Sequence, residues 1–158
     1  MDSTVFYIQF AFSVVVCGLL AKWFLSPWLE KQQKMFAILV LLIPHAFRHF
    51  GLFAISQATY APELPMEWAR STAYIDLGTQ ITALLTMLLI RRGSGLAKVT
   101  AWVANLLGLT AFAVSTWLTS SLNVPIHFLY ASWFLPTFFL PMLVWSHYYQ
   151  IRLLLKKD

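Results

Sequence analysis

The sequence predicts an all-α integral membrane protein, a single bundle of five transmembrane helices with the N-terminus outside and the C-terminus in the cytoplasm. Three observations lead to this prediction. Only 11% of the 158 residues are charged, against about 25% in soluble domains. The apolar residues form continuous runs, and a run of about 20 residues suffices to cross a bilayer as a helix. The basic residues gather at the ends of these runs, mostly on one side.

The first predicted helix covers residues 5–25. Lys22, Trp23 and Trp28 follow its apolar part, and these residue types mark the interface between lipid and water. The run lacks the basic start and the small-residue cleavage site of a signal peptide, so we expect it to remain as a span.

Four further helices are predicted, over 35–55, 71–90, 96–118 and 124–151. The polar connector 30–34 precedes the second helix, and the Pro-containing loop 56–70 precedes the third. A basic turn at Arg91 and Arg92 separates the third helix from the fourth, and an uncharged link precedes the fifth. Pro136 and Pro141 predict a bend in the fifth helix. Barrel strands are not expected, because the runs do not alternate between polar and apolar residues.

The distribution of Lys and Arg predicts the orientation. With the N-terminus outside, nine basic residues near the span ends lie on the cytoplasmic side and only Arg70 on the other, as the positive-inside rule requires. We therefore expect a multi-pass protein of a bacterial-type inner (plasma) membrane. Nucleic-acid binding is not expected despite the net charge of +5, since the basic residues do not form one face of a soluble helix.

Polar residues inside the second and third helices form the candidate site. His45, Arg48 and His49 have the spacing i, i+3 and i+4, which places them on one face of an α-helix. Asp76 and Gln80 likewise share a face of the third helix. Counting about 1.5 Å per residue puts Arg48 and Asp76 at a similar depth in the outer half of the bilayer. Because an unpaired charge there costs about 2.5–3.5 kcal/mol, we expect an Arg48–Asp76 ion pair.

This cluster predicts a site that binds or conducts a small ligand, an ion or a proton. Arg48 would hold an anionic group or fix Asp76, and His49 would be the proton-labile member. His127 and Tyr130 reach a similar level on the fifth helix and complete the predicted site. One alternative is that the ion pair only fixes helix register. Another is an accessory subunit of a larger membrane redox or photosynthetic complex.

The histidines also allow a third alternative, a haem- or metal-bearing membrane enzyme. His45 and His49 have the spacing with which two imidazoles share a metal ion, and His127 or Asp76 would be the third ligand. Arg48 lies between them and repels a cation, so they are only weak metal candidates. A haem or another pigment would need histidines from facing helices. No nucleophile–base motif is visible, so an enzyme is not the leading expectation. His147 is expected at the cytoplasmic surface.

The fourth helix carries small residues at steps of three and four, which favour close approach of another helix. This small-residue seam consists of Ala101, Ala104, Gly108, Ala111 and Ser115. Its partner is either a helix of the same chain or a second subunit, in a homo-oligomer or a larger complex.

About half of the chain resembles the small bacterial DoxX-like membrane proteins. The similar features are the loop Ala61-Pro62-Glu63-Leu64-Pro65, the helix entry Ala73-Tyr74-Ile75-Asp76-Leu77, the segment Leu84–Arg92 with its basic end, and the Ala/Gly-rich stretch from Ala104 to Ala111. The resemblance implies a multi-pass membrane protein, and some members are tied to quinone or redox complexes. The usual acidic residue of that helix comes later than Asp76, and neither the fifth span nor the segment 44–49 belongs to the pattern.

Overall fold

The computed structural model describes residues 3–61, 63–124 and 133–156, and these residues form helices and short connections without any strand. α1 begins as Ser3–Leu20, passes through a π-helical turn at Ala21–Leu25 and ends with Ser26–Leu29. α2 consists of Lys34–Leu42, a 3-10 segment Pro44–Leu52 and Phe53–Tyr60. α3 is Met66–Arg91 and α4 is Ala97–Ser121. α5 begins with a π-helical turn at Leu135–Phe139 and continues as Leu140–Leu155.

The all-α class is confirmed, and four of these helices are long and apolar enough to cross a membrane, as the predicted membrane class requires. The four candidate spans are Thr4–Leu29, Lys34–Thr59, Met66–Arg91 and Ala97–Ser121. The regular part of α5 has 16 residues, and its π-helical turn contains Pro136, one of the two prolines at which a bend is predicted. The predicted beginning of the fifth span, with His127 and Tyr130, falls on residues 125–132 and lies outside the described residues.

α2 and α3 extend further toward each other than the sequence predicts. α2 continues to Tyr60 rather than ending near residue 55, and α3 begins at Met66 rather than at residue 71. Pro65 fixes the backbone just before α3, and the Trp68 indole packs into a buried cluster and donates a 2.9 Å hydrogen bond to Thr119 Oγ1. The longer α2 places Arg48 near the middle of the helix, 14 residues after Lys34 and 12 before Tyr60.

The 3-10 segment of α2 has a local cause in Pro44. Proline has no amide hydrogen, so Pro44 cannot donate to the Val40 carbonyl as an α-helix requires. The neighbouring bonds tighten to i−3, from Ile43 N to Val40 O and from Ala46 N to Ile43 O, both at 3.1 Å. A 3-10 helix has three residues per turn, so side chains three positions apart share a face.

α2, α3, α4 and α5 surround the polar cluster, and α1 packs on the outside, mainly against α5. The small-residue seam of α4 faces helices of the same chain. Ala101 and Ala104 pack in a buried cluster with Ile38, Ala83 and other residues, and a Cβ at Gly108 would overlap the His147 imidazole. The seam therefore lets α4 approach α3 and α5 closely.

Ser115 is the exception in the seam. It is half-buried, and its hydroxyl lies 3.4 Å from Thr72 Oγ1 of α3. The described seam residues thus pack against helices of this chain.

Candidate functional site

The predicted ion pair between α2 and α3 is present. The Arg48 side chain is 1% exposed, and its Nη2 lies 2.7 Å from Asp76 Oδ1. Nε of Arg48 donates a second hydrogen bond to the same oxygen, at 2.9 Å. The Asp76 side chain is 21% exposed, so the carboxylate lies at the margin of the cluster while the guanidinium lies inside it.

The 3-10 geometry of α2 creates the face that carries this pair. His45, Arg48 and Gly51 follow one another at steps of three, and His45 and Arg48 are both buried. Gly51 faces Asp76 so closely that a Cβ at this position would lie 2.8 Å from Asp76 Oδ2. The absence of a side chain at Gly51 allows α3 to bring its carboxylate to Arg48.

His49 does not belong to the cluster, and the prediction that it shares a face with His45 and Arg48 is wrong. Its side chain is exposed, and its ring contacts Phe50 with ring centroids 4.8 Å apart. The prediction assumed 3.6 residues per turn, whereas with three residues per turn position i+4 lies a third of a turn away from position i. His45 and His49 therefore do not face one metal ion. The described residues contain no group of three or more His, Cys, Asp or Glu arranged to hold one.

His147 of α5 lies in the cluster, and the prediction that it lies at the cytoplasmic surface is also wrong. It is 1% exposed, and its Nε2 lies 3.4 Å from Nη1 of Arg48. The prediction judged His147 by its position near the end of the predicted span, whereas α5 continues for eight residues after His147, to Leu155, and His147 lies on its buried face. The burial pattern Leu143, His147, Gln150 and Leu154 has the helical spacing that would have indicated this face.

Side chains of α5 also contact His45 of α2, so the polar cluster includes His45. The His45 and His147 rings meet edge to face, with centroids 4.4 Å apart, which leaves no room for a planar cofactor between them. His45 Nε2 lies 3.1 Å from both Ser146 Oγ and Gln150 Nε2. The Ser146 hydroxyl donates to the Leu41 carbonyl at 2.5 Å. Ser146, His147 and Gln150 are the site residues that the sequence reasoning missed.

The surroundings of Arg48 determine the protonation state of His147. Arg48 can only donate hydrogen bonds, so His147 Nε2 accepts and the neutral ring carries its hydrogen on Nδ1. α4 covers the other side of the guanidinium with the Phe112 ring, whose centroid lies 4.9 Å from Cζ, and the Phe112 ring also meets His147. Asp76 is the carboxylate that pairs with Arg48 in the described residues. With neutral imidazoles, the cluster has no net charge while Asp76 is ionised.

Several buried polar atoms in and around the polar cluster have no hydrogen-bond partner among the described residues. They include His147 Nδ1, Gln150 Oε1, Asn105 Oδ1 and Gln80 Oε1. Asn105 uses its amide nitrogen on the His147 carbonyl, at 3.3 Å, and the predicted site residue Gln80 is half-buried one turn along α3 from Asp76. Buried polar atoms are normally paired with protein, water or a bound group. The cluster therefore has hydrogen-bonding capacity for a guest molecule.

Breaking the ion pair from either side should destabilise the protein. We expect Arg48→Gln and Asp76→Asn each to lower the free energy of unfolding by about 3–5 kcal/mol, because a buried charge loses its partner. The double variant should recover part of the loss. Equilibrium unfolding in detergent, followed through tryptophan fluorescence, measures all four members of the cycle. As a control, Glu30→Gln removes the partner of the exposed Arg152, at 3.7 Å, and should cost less than about 1 kcal/mol. Strictly additive losses would show that the pair contributes no coupling.

Three comparisons with known proteins bear on the family. Searches of the curated proteins and of the solved structures found no match to this chain. The resemblance to DoxX-like proteins stays a prediction. A family model described as a domain of unknown function, DUF8737, matches residues 5–155. Since this match covers nearly the whole sequence, the chain belongs to the DUF8737 family.

Proposed function

We propose that this protein binds a small anion together with one proton at the Arg48–Asp76 pair, inside the bundle. The observation that carries the proposal is the charge balance of the cluster. A guanidinium that is almost fully buried is compensated by a single carboxylate, and that carboxylate can be neutralised by a proton. The site that the sequence predicts for a small ligand, an ion or a proton would thus take one anion and one proton together.

The exchange follows from the cost of an unpaired buried charge, which is several kcal/mol. Protonation of Asp76 leaves Arg48 without a counter-charge, and an anion that enters beside the guanidinium restores the balance. When the anion leaves, the ionised form of Asp76 is again the more stable one, because it supplies the counter-charge of Arg48. One proton and one anion therefore bind together, and the net charge of the site does not change.

The geometry of the guanidinium indicates the class of anion. Asp76 occupies the edge formed by Nε and Nη2 of Arg48, and this planar fork is suited to carboxylates and similar oxyanions. Gly51 and Gly108 keep the neighbouring helices close to the pair, so the anion must be small. We infer a planar monovalent anion with the shape of a carboxylate group.

The ionisable groups around the pair determine which of them can take up the proton. α2 contributes His45 and α5 contributes His147, both of which are ionisable, whereas α4 contributes Phe112 and Asn105, which are not. Asp76 is the proposed proton carrier, because a proton on either imidazole would add a second positive charge beside Arg48. This assignment replaces His49, which faces away from the cluster.

Nitrate is a suitable probe, since it is planar and stays charged across the pH range. We expect its binding to wild-type protein to strengthen by about tenfold for each unit of pH decrease while Asp76 is ionised in the free protein, because one proton enters with each anion. In Asp76→Asn, which mimics the protonated acid, binding should be tight and independent of pH. Arg48→Gln should not bind nitrate. Titration calorimetry in two buffers with different ionisation enthalpies measures both the affinity and the number of protons taken up.

His49→Gln is the matched control, since His49 is ionisable and adjacent to Arg48 in sequence but exposed. It should bind nitrate as the wild type does, with the same pH dependence. Nitrate binding by the wild type without proton uptake would contradict the proposal even if a variant fails to fold. If neither the wild type nor Asp76→Asn binds nitrate and larger membrane proteins co-purify, the accessory-subunit alternative would replace it.

We also propose that α5 is a fifth span and that the N-terminus lies outside, in a bacterial-type inner membrane. The support is the ratio of nine basic residues to one between the two sides. A reporter protein that is active only in the cytoplasm should be active when fused to the C-terminus, and a reporter that is active only outside should be inactive there. The opposite result would mean that the orientation is reversed or that the chain has one span fewer.

A further inference from the structure

A groove runs between α1 and α5 at the end of the bundle where the basic residues gather. It consists of two cavities of about 540 Å³ and about 660 Å³. The two cavities share Ser26, Tyr149 and Arg152 in their walls, so they adjoin. Both volumes lie in the range of ligand-binding sites. None of the residues of the Arg48–Asp76 site lines the groove, and a lipid in the groove rests on the proposed fifth span and orientation, not on the proposed anion binding.

The smaller cavity, of about 540 Å³, has an apolar half whose side chains are held in place by contacts between α1 and α5. Val15 and Leu19 of α1 form one wall, and Trp145 of α5 forms the floor. The Trp145 indole donates a 2.9 Å hydrogen bond to the Val14 carbonyl. Its ring also lies so close to Gly18 that a Cβ there would overlap it. The Trp145 ring is therefore fixed at two points, beside the apolar side chains of Val15 and Leu19.

The other half of the groove is basic. Arg152, Lys34 and Lys156 line the larger cavity, Lys22 and Arg152 line the smaller one where the two adjoin, and Glu30 is the one carboxylate among the lining residues that the structure describes. Glu30 lies 3.7 Å from Arg152, and Lys22 adds a second positive charge where the cavities adjoin. Lys22 lies in the π-helical turn of α1, a type of irregularity that occurs often at functional sites.

We propose that this groove binds one anionic phospholipid, with its phosphate between Lys22 and Arg152 and one acyl chain along Val15, Leu19 and Trp145. The arrangement matches an amphiphile in both parts, since a basic end continues directly into an apolar channel. Basic pockets between spans on the cytoplasmic side are typical sites for anionic headgroups. A soluble phosphate compound would use only the basic half.

Native mass spectrometry of the full-length protein tests the proposal through the lipids that it retains. With equal amounts of phosphatidylglycerol and phosphatidylcholine in the detergent, we expect one bound phosphatidylglycerol per chain. Lys22→Gln combined with Arg152→Gln should lower this retention by about tenfold or more. The matched control is Arg91→Gln combined with Arg92→Gln, which removes two exposed charges from the same end of the bundle, outside the groove. The control should retain the lipid as the wild type does.

A further variant tests the apolar half without any change of charge. Val15 is 58% exposed, so Val15→Trp should fill the channel without disturbing the core, and it should also weaken retention of phosphatidylglycerol. Equal losses in the groove variant and in the Arg91/Arg92 control would show general charge attraction and overturn the proposal. Displacement of the lipid by inorganic phosphate, or unchanged retention in both groove variants, would overturn it as well.

Discussion

The buried positive charge of Arg48 is the constraint on which the arrangement of α2, α3, α4 and α5 depends. A guanidinium inside an apolar bundle is stable only with a close counter-charge and satisfied donors. Asp76 supplies the charge, His147 accepts a hydrogen bond, and the Phe112 ring covers the guanidinium. Each comes from a different helix, so the position of one side chain fixes the relative positions of three neighbouring helices.

Small local features of the backbone make these contacts possible. Pro44 removes one α-helical hydrogen bond and turns the following segment into a 3-10 helix, which aligns His45, Arg48 and Gly51. Gly51 admits the Asp76 carboxylate, and Gly108 admits the His147 ring. A side chain at either glycine would separate the helices that the ion pair holds together. The close packing and the polar cluster therefore depend on each other.

Four of the five predicted spans and the ion pair followed from the sequence, because they rest on simple quantities, namely apolar length and helical rise. The placements of His49 and His147 did not follow, because both depend on details that the apolar pattern does not contain. His49 turns away because one proline changes the number of residues per turn. His147 lies on the buried face of α5, and the spacing of Leu143, His147 and Gln150 was the signal for that face. The Pro44 signal was present too, since a proline inside a helix predicts a local change of geometry.

We propose that Asp76 is ionised in the resting site and takes up a proton when an anion occupies Arg48. Infrared difference spectroscopy of the purified protein, with and without nitrate at constant pH, distinguishes the two protonation states of the carboxyl group. We expect nitrate to produce the carbonyl stretch of a protonated carboxylic acid, and we expect this band to be missing in Asp76→Asn but unchanged in His49→Gln. A nitrate-induced spectrum without that band, or with the same band in Asp76→Asn, would show that Asp76 does not take up the proton.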